Sequence, residues 1–459
     1  MTLSTVHISI MMATVVFVLG AGIYAARSVK TAAGYSLGGR SAGVSLIAGS
    51  IAGTIIGGGA TVGTAQLAYS YGLAAWWFTL GSGIGLAIMG ILYAKRMRQS
   101  GLTTIPEFLS TCYGKRAEGM ASVIASVGIV LSIIASTLPG IQMLSALFGL
   151  SHWEAAAVLL FLVMGYTFFG GMKSAGIGGI LKMVVIFISL FAAGWSAFKG
   201  LMNMTDFGRI FPSVPWLSLF GEGVEPALAN LCSVVVGVLC TQTYVQAIFS
   251  AASPLKASAG CLMAAAIVIP VGLPSVAIGM YMRAFEPVEL PILVLPLYLI
   301  HHESEILAGI AIGGIILSLI GSIGGLALGV GTMVSHDLIG PVLHIRDDRN
   351  MLCITRISVV LVIAMASAVA MANLETEVLF WNYLSMALRG GGIFLPLTIA
   401  VFWPGLLSRK WVLSSMFLST AASVLAASVI PLPVPPLFAG LFVSGGLTAL
   451  GILSRRAQT

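Results

Sequence analysis

Lys182 and Arg389 are the residues whose chemistry packing alone explains least. Each falls within an apolar run, LKMVVIFISLF (181–191) and FWNYLSMALRGGGIFLPL (380–397), and no Asp or Glu lies in the middle of any such run to pair with them. A guanidinium grips a carboxylate through two parallel N–H bonds, so Arg389, followed by Gly390-Gly391-Gly392, points to an anionic substrate. The competing reading is an arginine held by helix-end carbonyls for structural reasons. A buried ammonium costs several kcal/mol unless it finds a partner or becomes neutral, or it can snorkel to the nearer interface. The third feature is GSIAGTIIGGGATVGTAQLAYSYG (49–72), an apolar run interrupted by Gly57-Gly58-Gly59. Each of those glycines weakens a helix by about 1 kcal/mol relative to Ala. The run therefore reads either as a close-packing face or as a helix broken at membrane depth, which is tolerated only beside a cavity or under protein cover.

The elements that must hold these residues follow from composition. Of 459 residues, 58% are hydrophobic and 8% charged, against roughly 25% charged in a soluble domain. The chain is an integral membrane protein. Its net charge of +7 is spread over short loops rather than one patch, which argues against nucleic acid as a partner. Cys112, Cys232, Cys240, Cys261 and Cys353 show neither metal-ligand nor paired spacing and read as free thiols. The run 6–26 lacks a basic leader and a cleavage site, so it reads as a retained helix.

About thirteen apolar runs are long enough to span: 5–26, 44–71, 73–95, 117–148, 152–171, 175–199, 226–250, 255–284, 305–334, 352–373, 376–403, 410–430 and 435–454. With the N-terminus outside, one set of gaps collects Arg27, Lys30, Arg40, Lys95, Arg96, Arg98, Lys115, Arg116, Lys173, Lys256, Arg346, Arg349, Arg356, Arg409, Lys410, Arg455 and Arg456. The other holds mostly acids, among them Glu222, Glu286 and Glu377. This asymmetry predicts a multi-pass protein of the plasma (inner) membrane with N-terminus outside and C-terminus cytoplasmic. The Pro-rich segments 200–225 and 285–304 are expected on the outside, as lids or as plain connectors. The segment 103–116, with Thr104 before Pro106, predicts a short interfacial helix inside.

Six segments in this order resemble the sodium:solute symporters, a family with the LeuT-type inverted-repeat fold: YSLGGRSAG (35–43), AYSYGL (68–73), TTIPEFLSTCYG (103–114), YTFFGGMKSAG (166–176), TQTYVQAIFSAASPLKASAG (241–260) and GSIGGLALGVGTMVSHDLIG (321–340). The resemblance implies an all-α membrane protein with two five-helix repeats of opposite topology, one helix before them and two after. Domain bounds follow as 1–43, 44–199, 200–225, 226–403 and 404–459. The runs 44–71 and 226–250 become corresponding broken helices, although the second carries only Thr241, Gln242 and Thr243 at its middle and no glycine cluster.

The resemblance also implies a sodium site built from carbonyls of Gly53, Ile56 and Ser318 and the hydroxyl of Ser322. Gly321 stands where the family usually has a hydroxyl residue. After GGMKSAG the family's Thr-Asp pair and following Gln are replaced by Gly178, Gly179 and Lys182, so Lys182 is expected to stand in for the coupling ion. Substrate-facing candidates are Gly57, Gly58, Thr61, Gln142, Gln242, Asn382, Tyr383 and Arg389, with Thr54 beside them and Tyr244, Phe380 and Trp381 as gates.

The implied function is a secondary active transporter for a small organic solute, a carboxylate favoured, working by alternating access. Sodium is the coupling ion by resemblance, with proton coupling or none as the alternatives that a depleted site allows. No other cofactor is expected, the lipid bilayer is the only other partner, and the oligomeric state stays open, a monomer being compatible with the sequence. A transporter-derived sensor would want a fused output domain, whereas this chain ends at Thr459. An intramembrane enzyme would want mid-span catalytic side chains, yet His7, His152, His301, His302, His336 and His344 all fall near span ends.

Overall fold

The computed structural model describes residues 3–26, 32–345, 347–428 and 434–456. Arg27, Lys30 and Arg346 lie outside the described residues, as do the side chains of 168–175, including Lys173. The regular structure of the described residues is all helical, with no strand beyond one isolated bridge between Ala42 and Ala251.

The main helices are α1 (Thr5–Ala26), α2 (Val44–Ile55), α3 (Thr64–Tyr71), α4 (Trp77–Ile88), α5 (Ile105–Tyr113), α6 (Lys115–Phe148), α7 (His152–Met202) and α8 (Val224–Leu239). They continue with α9 (Gln242–Phe249), α10 (Pro254–Phe285), α11 (Val294–His302), α12 (Glu305–Met333), α13 (Asp348–Met371), α14 (Val378–Phe402), α15 (Arg409–Ser428) and α16 (Pro436–Arg456). Among the described residues, 10 helical runs are long and apolar enough to cross a membrane, and four more apolar helices are shorter. The sequence count of about thirteen spans differs because the second half of 44–71 continues into 73–95 as one helical run, and because the described parts of 5–26 and 152–171 are shorter apolar helices.

The runs 152–171 and 175–199 form a single helical element of 51 residues. Straight, it would measure roughly 75 Å, more than twice the hydrocarbon thickness. It bends back. A Cβ at Gly178 would lie 3.0 Å from the Tyr166 ring, twelve positions earlier, and the two arms meet α12 through Thr167 at Gly324 and Lys182 at Gly321.

α12 is the spine of the molecule, buried from Ala311 to Met333 and packed against α1, α6, α7 and α13. Its glycines replace large side chains, which brings neighbouring backbones close enough for dispersion and short polar contacts to hold apolar helices together without a hydrophobic driving force. α2 crosses α7 the same way: a Cβ at Gly53 would lie 2.8 Å from the Gly179 Cα.

α5 forms as its sequence dictates. The Thr104 hydroxyl accepts from the Glu107 N–H at 3.0 Å, Pro106 occupies the first turn, and Glu107 accepts in return from the Thr103 N–H at 2.7 Å. Both Pro-rich segments lie against the far end of the first broken helix. α11 packs on α3 and on residues 59–63, and Trp216 lies against Gly72, whose φ of +61° and lack of a side chain admit it.

Candidate functional site

The helix beginning at Val44 ends at Ile55, where the glycines allow it to. Ile56 leaves helical geometry (φ −77°, ψ 82°), Gly57 makes a tight turn to the Ile55 carbonyl at 2.9 Å, and helix resumes after Gly58. The break frees carbonyls that must find partners in an apolar medium. Ser322 donates to the Thr54 carbonyl and Ser318 to the Ile56 carbonyl, while the Gly57 carbonyl, already bonded to the Thr61 N–H at 3.2 Å, also accepts from the Thr61 hydroxyl at 2.9 Å.

Lys182 completes this corner. Its Nζ donates to the Ile56 carbonyl at 3.3 Å and to the Ser318 carbonyl at 3.2 Å, and the residue is 2% exposed. It does not snorkel. Its stem runs past Gly53, where a Cβ would sit 3.4 Å from Cε, and its ammonium fills the space at Gly321, where a Cβ would sit 2.8 Å from Nζ. The ammonium thus shares two of the oxygens expected of a sodium site. A second cation on the same carbonyls would stand within about 4 Å of it, a repulsion of about 4 kcal/mol at an effective dielectric of 20.

The second broken helix separates α8 from α9 at Cys240 and Thr241, both outside helical geometry. Arg389, 0% exposed on α14, reaches into this break. Its NH1 donates to the Thr241 hydroxyl at 2.8 Å, NH2 to the hydroxyls of Ser385 at 2.9 Å and Ser132 at 3.3 Å, and Nε to the Ser385 carbonyl at 3.1 Å. All of these acceptors are neutral. Among the described residues neither Lys182 nor Arg389 pairs with a carboxylate.

One face of α6 links the two breaks. Ser136 Oγ would meet a Cβ on Gly57 at 3.3 Å, the Ala135 carbonyl and Pro139 face Gly58, and Ser132 lies one turn along at Arg389. Asn382 and Phe78 close on Gly59, with Nδ2 2.5 Å and the ring 3.1 Å from where its Cβ would be, and Tyr383 packs edge-on to Phe78 at 6.2 Å. The structure therefore gathers Gly57, Gly58, Thr61, Asn382 and Tyr383 around the first break, and places Arg389 at the second.

Two expected ligands are spent elsewhere. Gln242 accepts from the Ile105 N–H at 2.8 Å and donates to the Thr103 carbonyl at 3.3 Å, so it ties the second break to α5. Gln142 donates to the Leu374 carbonyl at 3.1 Å. Tyr244 is buried behind the second break, Trp381 donates to Thr376 at 2.7 Å, and Phe380 is 50% exposed. Ser132, Ser136 and Ser385 escaped the sequence reading. Their only signal is spacing: Ser132 and Ser136 lie four apart and hence on one helix face.

Two helices broken at mid-length, packed on an unbroken spine with polar groups gathered at both breaks, define a LeuT-type inverted-repeat membrane protein. The chain belongs to the sodium:solute symporter family, whose model matches residues 35–417. It is 28% identical over 303 residues to the high-affinity choline transporter 1 of Torpedo marmorata, covering 60% of this chain and 50% of that one, so the match spans about half the relative's length. The sodium/proline symporter of Staphylococcus aureus is 24% identical over 411 residues, 83% of this chain and 78% of that one. Among solved structures, a Na+-coupled sialic acid symporter in a substrate-bound outward-open state shares the fold at a TM-score of 0.83, with 15% identity over 98% of this chain and 97% of that one. A nucleobase-cation-symport-1 family transporter follows at 0.63, with 13% identity over 92% and 93%.

Proposed function

We propose that the protein is a secondary transporter of a small carboxylate-bearing organic solute, and that its transport is independent of sodium. The observation that carries the coupling half is Lys182, whose ammonium bonds to the Ile56 and Ser318 carbonyls. A tethered cation holds the broken helix against α12 and α7 in the way a diffusible ion would, and it cannot be supplied or withdrawn by a sodium gradient. Movement of solute is then driven by protons exchanged at the Lys182 amine, or by counter-exchange of solutes while the amine stays charged.

Arg389 supports the substrate half. A buried guanidinium bonded only to hydroxyls and one carbonyl keeps its charge uncompensated, and those hydroxyls can turn aside when a carboxylate arrives.

Counterflow into proteoliposomes preloaded with unlabelled solute tests this reading, over a panel of small carboxylates and their amides without any ion gradient. Uptake of one or more carboxylates, unaffected by replacing sodium with potassium, is the expected result. Uptake that needs sodium on both sides would overturn it.

A further inference from the structure

A cavity of about 510 Å³ opens where the far ends of the two broken helices, α3 and α8, meet α14. Its charged lining among the described residues is Glu222 and Glu377, with no Lys, Arg or His. Tyr71, Phe380 and Tyr383 supply aromatic surface. Asn230 donates to Glu222 Oε2 at 3.1 Å, which leaves Oε1 for another partner. The Tyr383 hydroxyl oxygen is buried and has no hydrogen-bond partner.

Two carboxylates crowding one partly apolar space destabilise each other unless something positive visits it. Burial, and then the neighbouring Glu377, push the Glu222 carboxyl up to about 7. Aromatic faces with carboxylates behind them attract ammonium groups, because the ring quadrupole and the full charges act in the same sense. Tyr383 also joins the cavity to the first break through its edge contact with Phe78, which closes on Gly59.

We infer that this cavity binds the ammonium group of the transported solute, with Glu222 and Glu377 supplying charge and Tyr71, Phe380 and Tyr383 supplying π-faces. The inference rests on the proposed transport function and extends it: the solute carries an ammonium group besides its carboxylate.

Tetramethylammonium chloride titrated into the purified full chain in lipid nanodiscs tests the cavity apart from transport, with sodium chloride matching ionic strength and tert-butanol as the neutral counterpart. Binding is read by calorimetry. Expected is binding of tetramethylammonium well above that of tert-butanol, weakened at least tenfold in Glu222→Gln and severalfold in Glu377→Gln. The groups facing Glu222 are Glu377 and Tyr383 from α14 and its flank, Tyr71 from α3 and the neutral Asn230 from α8. Because only the ionised carboxyl attracts the probe, affinity rises by up to about tenfold from pH 6 to pH 8 as Glu222 loses its proton near 7. That titration needs no variant and stands even if Glu222→Gln fails to fold. Equal affinity for tert-butanol, or a tetramethylammonium affinity indifferent to Glu377→Gln and to pH, would overturn the inference. A positive titration beside failed counterflow would instead contradict the transport reading.

Discussion

The two broken helices solve one problem by different chemistry. At the first break, main-chain carbonyls of Thr54 and Ile56 are freed, and the groups that satisfy them are two serines and the Lys182 ammonium. At the second, Thr241 offers its hydroxyl to a cation, and the partner is the Arg389 guanidinium. The first break thus holds a point charge among carbonyls, the set of atoms a hard metal ion would choose. The second holds a planar fork among hydroxyls, which suits an anion. The proposed cation-coupling role at one break and the proposed anion-binding role at the other rest on that difference.

Removing either charge is the largest perturbation available. Lys182→Met, which keeps the stem and loses the ammonium, should cut solute uptake by two orders of magnitude or more, because the Ile56 and Ser318 carbonyls lose the group that holds α2 to α12. Unfolding should show a cost of about 1–3 kcal/mol from the two hydrogen bonds the ammonium made. Uptake assays and denaturation of the same preparation separate the two. An uptake rate near wild type would remove Lys182 from the coupling machinery.

Arg389→Gln should weaken carboxylate uptake by about ten- to a hundredfold, the equivalent of a lost charge-assisted pair at about 1.5–3 kcal/mol, and leave uptake of the matching amide within about twofold. An equal loss for acid and amide would make the arginine structural. The fold has a way to tolerate the change, since Ser132 and Ser385 already lie 2.7 Å apart and can pair with each other.

Gly321→Ser tests the fit between Lys182 and its neighbour. The added Cβ would lie 2.8 Å from Nζ, so a loss of about 1–3 kcal/mol is expected from overpacking, falling toward zero when Lys182→Ala is combined with it. A double-mutant cycle reads this coupling directly. Additive losses would show that the glycine serves something else. The smallest effect is expected at Gln242→Leu, which removes two bonds to the 103–105 segment, at about 1 kcal/mol each. Its mark is faster amide hydrogen exchange confined to α5.

The same contrast explains what the sequence could disclose. The first break was legible because three glycines announce it, and α5 because Thr104, Pro106 and Glu107 spell out a helix start. The second break carries no such mark: Cys240 and Thr241 leave helical geometry because Arg389 and the packing of α14 reward them, and both partners come from distant parts of the chain. Gln242 stands out in the sequence as a polar residue at mid-span, but its partners at 103–105 precede it by well over a hundred positions, so only the fold shows that its amide is bonded to that segment. Lys182 was legible as an anomaly. Whether it reached outward to the interface or inward to Ile56 depended on the bend in α7, which the sequence suggested only as a gap between two apolar runs.

The most direct measurement is initial-rate uptake into proteoliposomes with sodium and proton gradients imposed separately, on wild type and Lys182→Met side by side. If the Lys182 ammonium occupies the place of the coupling ion, a sodium gradient at equal pH drives no accumulation in wild type, while uptake responds to a proton gradient or to preloaded solute and is lost in the variant. Accumulation driven by a sodium gradient alone in wild type would contradict that account.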